Sequence, residues 1–217
     1  VVLERLPETS ALDKNRPASL DMIVTFDGSQ RSVVMYPCRN YEILNCAVIV
    51  RDSMLKTKTT ESWSAPGDRE EMLSNVQDFP SWVLDILKLA RDDIKLWQLR
   101  DQDPLPSYIK GRTVLIGDAA HPMTPHQGQG ATQAIEDTEG FLLFNDPDIT
   151  RENVPNLLKD FDSVRRPRAS RIQEITRWSA NRKTPEEVHA MAKYNWTYPG
   201  IVEGLRRVKA GEDLVQF

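Results

Sequence analysis

A chain of 217 residues with 40% hydrophobic and 28% charged content has the composition of an ordinary globular protein, long enough for one or two domains. Its net charge of -4 gives no reason to expect a polyanionic partner, so nucleic acid is not among the expected ligands. The longest purely apolar run, about Cys46 to Val50, falls far short of the roughly 20 residues needed to cross a bilayer, and no membrane partner is expected.

The opening residues, Val1 to Pro7, lack the basic start and long apolar stretch of a secretory signal. Cys38 and Cys46 both lie in apolar, strand-like sequence; two thiols do not make a disulfide framework, so they read as reduced core residues of a cytoplasmic protein. The chain opens on Val rather than Met and reads as a piece of something longer.

Three strand-like runs come first, Leu20 to Phe26, Ser32 to Pro37 and Glu42 to Arg51. Asp27-Gly28-Ser29-Gln30 is a hairpin signal between the first two, and Arg39-Asn40-Tyr41 supplies the next turn, giving an antiparallel meander. Residues 52–67 are polar, end in Pro66-Gly67 and read as a surface connection. Asp68 has the character of an N-cap, with Glu70 and Glu71 complementing the dipole of the helix it starts. After Pro80, Val83, Ile86, Leu87 and Ala90 keep helical spacing over Ser81 to Ala90. Ile94 to Leu99 reads as a strand, 101–106 as a loop, and Thr113 to Gly117 as a short buried strand.

From Gly128 a helix is predicted to about Phe144, with Ala131, Ala134, Ile135, Thr138, Phe141 and Leu142 on its inward face. A long helix follows from about Val154, with Leu157, Leu158, Phe161, Val164, Ile172, Ile175 and Trp178 inward, and Pro167 is expected to kink or end it. The basic cluster Arg165 to Arg171 reads as a solvated helix face. Residues 181–217 are helix-prone and show no identifiable chemistry.

The chemistry concentrates between Arg112 and Asp137: a strand, an acidic turn, a proline-rich loop and a glycine-opened helix. Asp118 directly follows a strand, where open α/β folds bind ligands; capping a nearby turn is its other reading. Gly128 and Gly130 let a ligand approach the backbone closely, and the unpaired N–H groups of a first helical turn favour negative charge. His121 and His126 with Asp118 invite a metal reading, but Pro122 and Pro125 stiffen the loop and no periodicity joins the imidazoles, so no metal is expected. No Gly-x-Ser-x-Gly elbow supports a serine hydrolase.

Gly117-Asp-Ala-Ala-His-Pro122, Pro125-x-x-Gly-Gln-Gly130 and Glu136-Asp137 together resemble the second flavin-contacting motif of the FAD-dependent aromatic-ring monooxygenases, the salicylate and para-hydroxybenzoate hydroxylase group. The resemblance covers roughly residues 30–180. It implies a mixed α/β (α+β) fold, a partial flavoprotein monooxygenase: an antiparallel substrate-domain sheet, then the last strand and helices of an FAD-binding domain. The implied domains are 1–100 for substrate, 101–180 for FAD and a helical tail over 181–217. FAD contacts are implied at Gly117, Asp118, Pro125, Gly128, Gln129, Gly130, Ala131 and Thr132, with Asp118 accepting hydrogen bonds from the ribityl hydroxyls. Thr132 departs from the family's usual Asn and lacks the amide's paired donor and acceptor. Tyr36, in Val34-Met-Tyr-Pro-Cys-Arg39, either borders the aromatic substrate pocket or packs in the sheet core.

In such enzymes NADH or NADPH reduces the flavin, O₂ adds to give a C4a-hydroperoxide, and a small aromatic substrate takes the distal oxygen. No residue of this chain is identified as a catalytic base. The family's opening Gly-x-Gly-x-x-Gly is not found; Gly128-x-Gly130 is followed by Gln133. The resemblance therefore implies the C-terminal part of an enzyme whose N-terminal FAD-binding portion is its natural partner. The contrasting expectation is a non-catalytic truncated relative that binds another polypeptide or nothing.

Overall fold

The computed structural model describes residues 21–25, 27–40, 42–56, 64–179 and 184–214. They fall into two compact units that divide between Gln98 and Leu99.

The first unit contains the meander: β1 (Asp21–Val24), β2 (Ser32–Cys38) and β3 (Ile43–Ile49), all antiparallel in the order β1-β2-β3. The outer ends of the first predicted strand, Leu20 and Phe26, and the turn residue Tyr41 lie outside the described residues. Register places Ile23, Val33 and Val48 side by side, and Met35 opposite Cys46, on one face. Alternation along a strand then sends that whole set to one side of the sheet. There Val33, Met35 and Leu44 pack with Val76, Phe79, Val83, Ile86 and Leu87.

The helical half of that core is α1 (Arg69–Ser74) and α2 (Ser81–Lys88). Asp68 caps α1, its carboxylate accepting the Glu71 N–H at 2.6 Å, as its sequence position anticipates. Val83, Ile86 and Leu87 are the buried stripe of α2. Arg31 closes the β1–β2 turn: its guanidinium donates to Asp27 and Asp78 and lies 5.6 Å from the centre of the Phe79 ring. Those hydrogen bonds hold the Asp78 carboxyl below the ordinary carboxylate range. Ile94 to Leu99 does not form the expected strand; its ladder pairing among the described residues is a single bridge between Pro66 and Lys95.

The second unit opens with a hairpin of two-residue strands, β4 (Ile109–Lys110) and β5 (Thr113–Val114). This corrects the expected buried strand, because Leu115 and Ile116 are exposed. An apolar run records a preference for burial, and within this chain β5 pairs only with β4 among the described residues. Four helices follow: α3 (Gly130–Gly140), α4 (Val154–Ser179), α5 (Pro185–Trp196) and α6 (Ile201–Ala210). A 3-10 turn, Phe141–Phe144, extends α3. Helix α4 continues through Pro167, so of the two expected outcomes there, a kink or an end, the helix does not end. Its inward stripe includes Leu158, Phe161, Val164, Ile172 and Ile175, whereas Trp178 is exposed.

The contact between α3 and α4 is very close at one point. A β-carbon on Gly140 would lie 2.5 Å from the Phe161 ring, well inside van der Waals contact. Gly140→Ala is therefore expected to destabilise the chain by about 1–3 kcal/mol through overpacking. A thermal melt should fall by about 2–4 °C per kcal/mol for a chain of this size; an unchanged midpoint would show that the contact relaxes freely.

Candidate functional site

Helix α3 presents the opposite face from the one its apolar residues suggested. Ala131, Ile135, Thr138, Phe141 and Leu142 are exposed, Ile135 at 69%, and Ala134 is half-buried. The buried stripe is Gln133, Glu136, Asp137 and Gly140, which holds helical spacing as cleanly as the apolar set. The reason lies on α4. Arg165 and Arg168 sit on its inward stripe at 0% and 1% exposure, so the basic cluster is not a solvated face, and buried guanidinium groups need acidic partners.

Those partners form a closed network. Arg165 donates to Asp137 at 2.9 Å, to Glu136 at 2.5 Å and to the Gln133 carbonyl at 3.1 Å. Arg168 grips Glu136 with two bonds of 2.7 Å, a bidentate geometry that lysine cannot reproduce. Both guanidinium groups also lie over the Tyr198 ring, at 5.2 and 4.7 Å.

Asp137 carries the network to the acidic turn. Its Oδ2 accepts the Gly117 N–H at 2.8 Å and the His121 Nε2 at 2.7 Å. An ionised carboxylate only accepts, so the hydrogen between them belongs to His121. Burial opposes the charge on Asp137, but His121, Arg165 and Gly117 outweigh it and hold the carboxyl below its ordinary range. Because the folded group titrates below the unfolded one, this stabilisation is complete above the unfolded pKa near 4 and is lost as pH falls through the lower folded value. Thermal melts between about pH 7 and pH 3 should show a loss of stability on the acid side that Asp137→Asn flattens; equal slopes in both proteins would remove Asp137 as the source.

The consequence appears at the surface. The 3-10 turn Gly117–Ala119 starts with Gly117 at φ +56°, a conformation that glycine adopts without strain, and its N–H is pinned from behind by Asp137. Asp118 is thereby exposed, and no hydrogen bond or ion pair engages its carboxylate among the described residues. A second 3-10 turn, Pro125–Gln127, ends at Gly128 with φ +65° and leads into α3. No side chain caps α3, so the amides of its first turn keep their free donors.

Gly130 has an ordinary φ and nothing within 4 Å of where a β-carbon would stand. Neither strain nor packing inside this chain calls for glycine there, and its bareness leaves room for a ligand against the backbone. Pro125, Gly128, Ala131 and Thr132 are exposed around it, and Gln129 is half-buried with its Oε1 buried and unpartnered. The structure thus brings Gly117, Asp118, Pro125 and the 128–132 segment into the second unit's short stretch around the turns and the start of α3.

Tyr36 lies in the first unit on β2, on the face of the sheet away from the core, so it is not a core aromatic. Of the metal candidates, His121 is engaged by Asp137, and burial lowers the His126 pKa. Among the described residues no group of three or more His, Cys, Asp or Glu side chains gathers as a ligand set. Desolvation pushes the Cys46 thiol up to about 11. No helix among the described residues is long and apolar enough to cross a membrane.

The residues beneath the site were not evident from the sequence. Arg165 and Arg168 were the available signal, since their positions three apart share the stripe of Phe161, Val164 and Ile172.

Residues 8–179 match the model of a family described as "FAD binding domain". A salicylate hydroxylase of Pseudomonas putida is 38% identical over 165 residues, covering 73% of this chain and 37% of its own length. An FAD-dependent monooxygenase of an Arthrinium species, atnJ, is 33% identical over 153 residues, covering 70% of this chain and 36% of its own. The chain therefore spans less than half the length of these relatives.

Among solved structures, a salicylate hydroxylase substrate complex superposes with a TM-score of 0.67 at 30% identity, over 86% of this chain and 48% of that one. Klebsiella pneumoniae HpxO complexed with FAD and uric acid gives a TM-score of 0.54 over 88% of this chain and 46% of that one; at 19% identity it shows the fold alone. The chain belongs to the FAD-dependent aromatic monooxygenase family of the salicylate hydroxylase type.

Proposed function

We propose that the face made by Asp118 and the start of α3 is half of an FAD site, and that the protein hydroxylates a small aromatic substrate with NADH or NADPH and O₂. One observation carries this: an exposed, unpartnered carboxylate on a turn that packs against α3, whose start is uncapped and opened by glycine. The donor set fits the cofactor. Asp118 would accept from hydroxyls of the ribityl chain, while the first-turn amides at Gly130, Ala131 and Thr132 would suit the electron-rich edge of the isoalloxazine. Pro125 and Gly128 would line the ring's approach, and the Gly117 turn would set the direction of Asp118. FAD, when bound, accepts the electrons of the nicotinamide and activates oxygen.

The chain's own contribution is position and electrostatics. The amide donors at the start of α3 stabilise negative charge on the ring edge, and the pinned Gly117 turn keeps Asp118 aimed without reorganisation. No residue of this face is assigned a role as general base. Tyr36 is proposed to border the substrate, and the remaining contacts to FAD are assigned to an N-terminal portion like that of the longer relatives. The test is NADH or NADPH oxidation by FAD-loaded protein with salicylate as probe, with the product weighed by mass spectrometry. Oxygen-dependent gain of one oxygen atom supports the reading. Stable FAD binding with no product from any aromatic acid would assign the chain to the non-catalytic class.

A further inference from the structure

The family model stops at Ser179, yet α5 beyond it reaches back to the second of the two turns, Pro125–Gln127. Asn195, near the end of α5, donates through Nδ2 to Gln127 Oε1 at 3.0 Å. Gln127 in turn donates through Nε2 to the buried Thr176 hydroxyl on α4 at 2.9 Å. Gln127 is the last residue of the Pro125–Gln127 turn, immediately before Gly128. The same loop is held elsewhere along its length by side-chain amides: Gln173 donates to the Pro122 carbonyl and Gln102 to the Ala120 carbonyl.

The anchor for Asn195 is itself fixed. Arg168, which grips Glu136 through Nε and Nη2, donates through Nη1 to the Tyr194 carbonyl at 3.1 Å and through Nη2 also to the Asn195 carbonyl at 3.0 Å. One turn later, Glu139 of α3 accepts the Ile201 N–H at 3.0 Å and the Tyr198 hydroxyl at 3.3 Å. Helix α5 is thus tied to the buried network through its backbone and to the cofactor loop through one side chain. Such a linkage restrains the loop, because a side chain bonding from a fixed helix limits the excursions that an exposed turn otherwise makes.

We propose that Asn195 is a positioning residue for the flavin-facing loop, with α5 acting as a clamp that sets the Pro125–Gly130 backbone through Gln127. This deepens the FAD reading and rests on it. The segment after 179 thereby holds the second cofactor turn from behind, as Asp137 holds the first.

The experiment uses the whole chain and three readouts. Hydrogen exchange of the amides from 123 to 130 should be about tenfold faster in Asn195→Ala than in wild type without any flavin, the loss of about one hydrogen bond. In the FAD-bound state the same variant should bind FAD about fivefold to tenfold more weakly, and the visible absorption of the bound flavin should shift. Trp196→Ala, an exposed neighbour on the same helix, should leave all three unchanged. Unchanged exchange and unchanged flavin absorption in an Asn195→Ala chain that binds FAD as wild type does would overturn the clamp alone. FAD bound to the wild-type chain without slowing exchange of the amides from 123 to 132 would overturn the flavin reading, and with it the clamp's role toward flavin.

Discussion

Arg165→Ala is expected to cost about 3–5 kcal/mol, a severe loss of stability for a single substitution. The side chain is fully buried, and its removal strips Asp137 and Glu136 of a shared cation inside the protein. Asp137 keeps His121 and Gly117 as donors, and Glu136 keeps Arg168, so the carboxylates remain partly satisfied rather than bare. At about 2–4 °C per kcal/mol, the melting midpoint should fall by roughly 6–20 °C. Arg165→Lys should recover only part of this, because an ammonium cannot reach Asp137, Glu136 and Gln133 at once. A midpoint within about 2 °C of wild type for Arg165→Ala would mean that the network contributes little.

A buried ion network is not in itself an efficient source of stability, since well-packed apolar side chains of equal volume often do as well. Its value here is geometric. Asp137 fixes two donors on the acidic turn, and that sets where Asp118 stands.

How much of this was legible in the sequence depends on the distance between the interacting residues. The meander was readable because alternation in Ser32–Cys38 and Ile43–Ile49 is local, and so was the α1 cap, three residues from its partner. The turns of the proposed cofactor face were readable for the same reason: Gly117 and Gly128 are close in sequence, and the positive φ of each is a local demand that glycine meets. The orientation of α3 was not. Ranking Ile135 and Phe141 above Glu136 and Asp137 for burial is sound for a helix against an apolar surface, but it fails against one that carries Arg165 and Arg168. The expected burial of the run from Thr113 to Gly117 misled likewise, since Leu115 and Ile116 are apolar but exposed. Asn195 gave no sign, because its partner Gln127 lies 68 residues away and nothing in either neighbourhood names the other.

Asp118→Ala is expected to weaken FAD binding by roughly 10²-fold or more while leaving the fold intact. A carboxylate accepting hydrogen bonds contributes about 1.5–3 kcal/mol for each, and the ribityl chain offers several hydroxyls. Asp118 makes no contact that the fold needs among the described residues, so its removal should change stability by no more than about 0.5 kcal/mol. Asp118→Asn should fall between, because an amide oxygen still accepts but carries no charge. The contrast with Arg165 is the informative part: one variant loses ligand and keeps stability, the other loses stability first. Fluorescence quenching of FAD against each protein, read beside its melt, separates the two. Equal FAD affinity in Asp118→Ala and wild type would remove the carboxylate from the site.

The most direct test of the cofactor face is the footprint of FAD in hydrogen exchange on the unmodified chain. Saturating FAD should slow exchange at the Gly117–Ala119 turn and from Gly128 to Thr132, and leave the β1–β3 meander unchanged on its core face. Protection confined to other segments, or none at all under conditions where FAD is bound, would contradict the assignment of this face to the flavin.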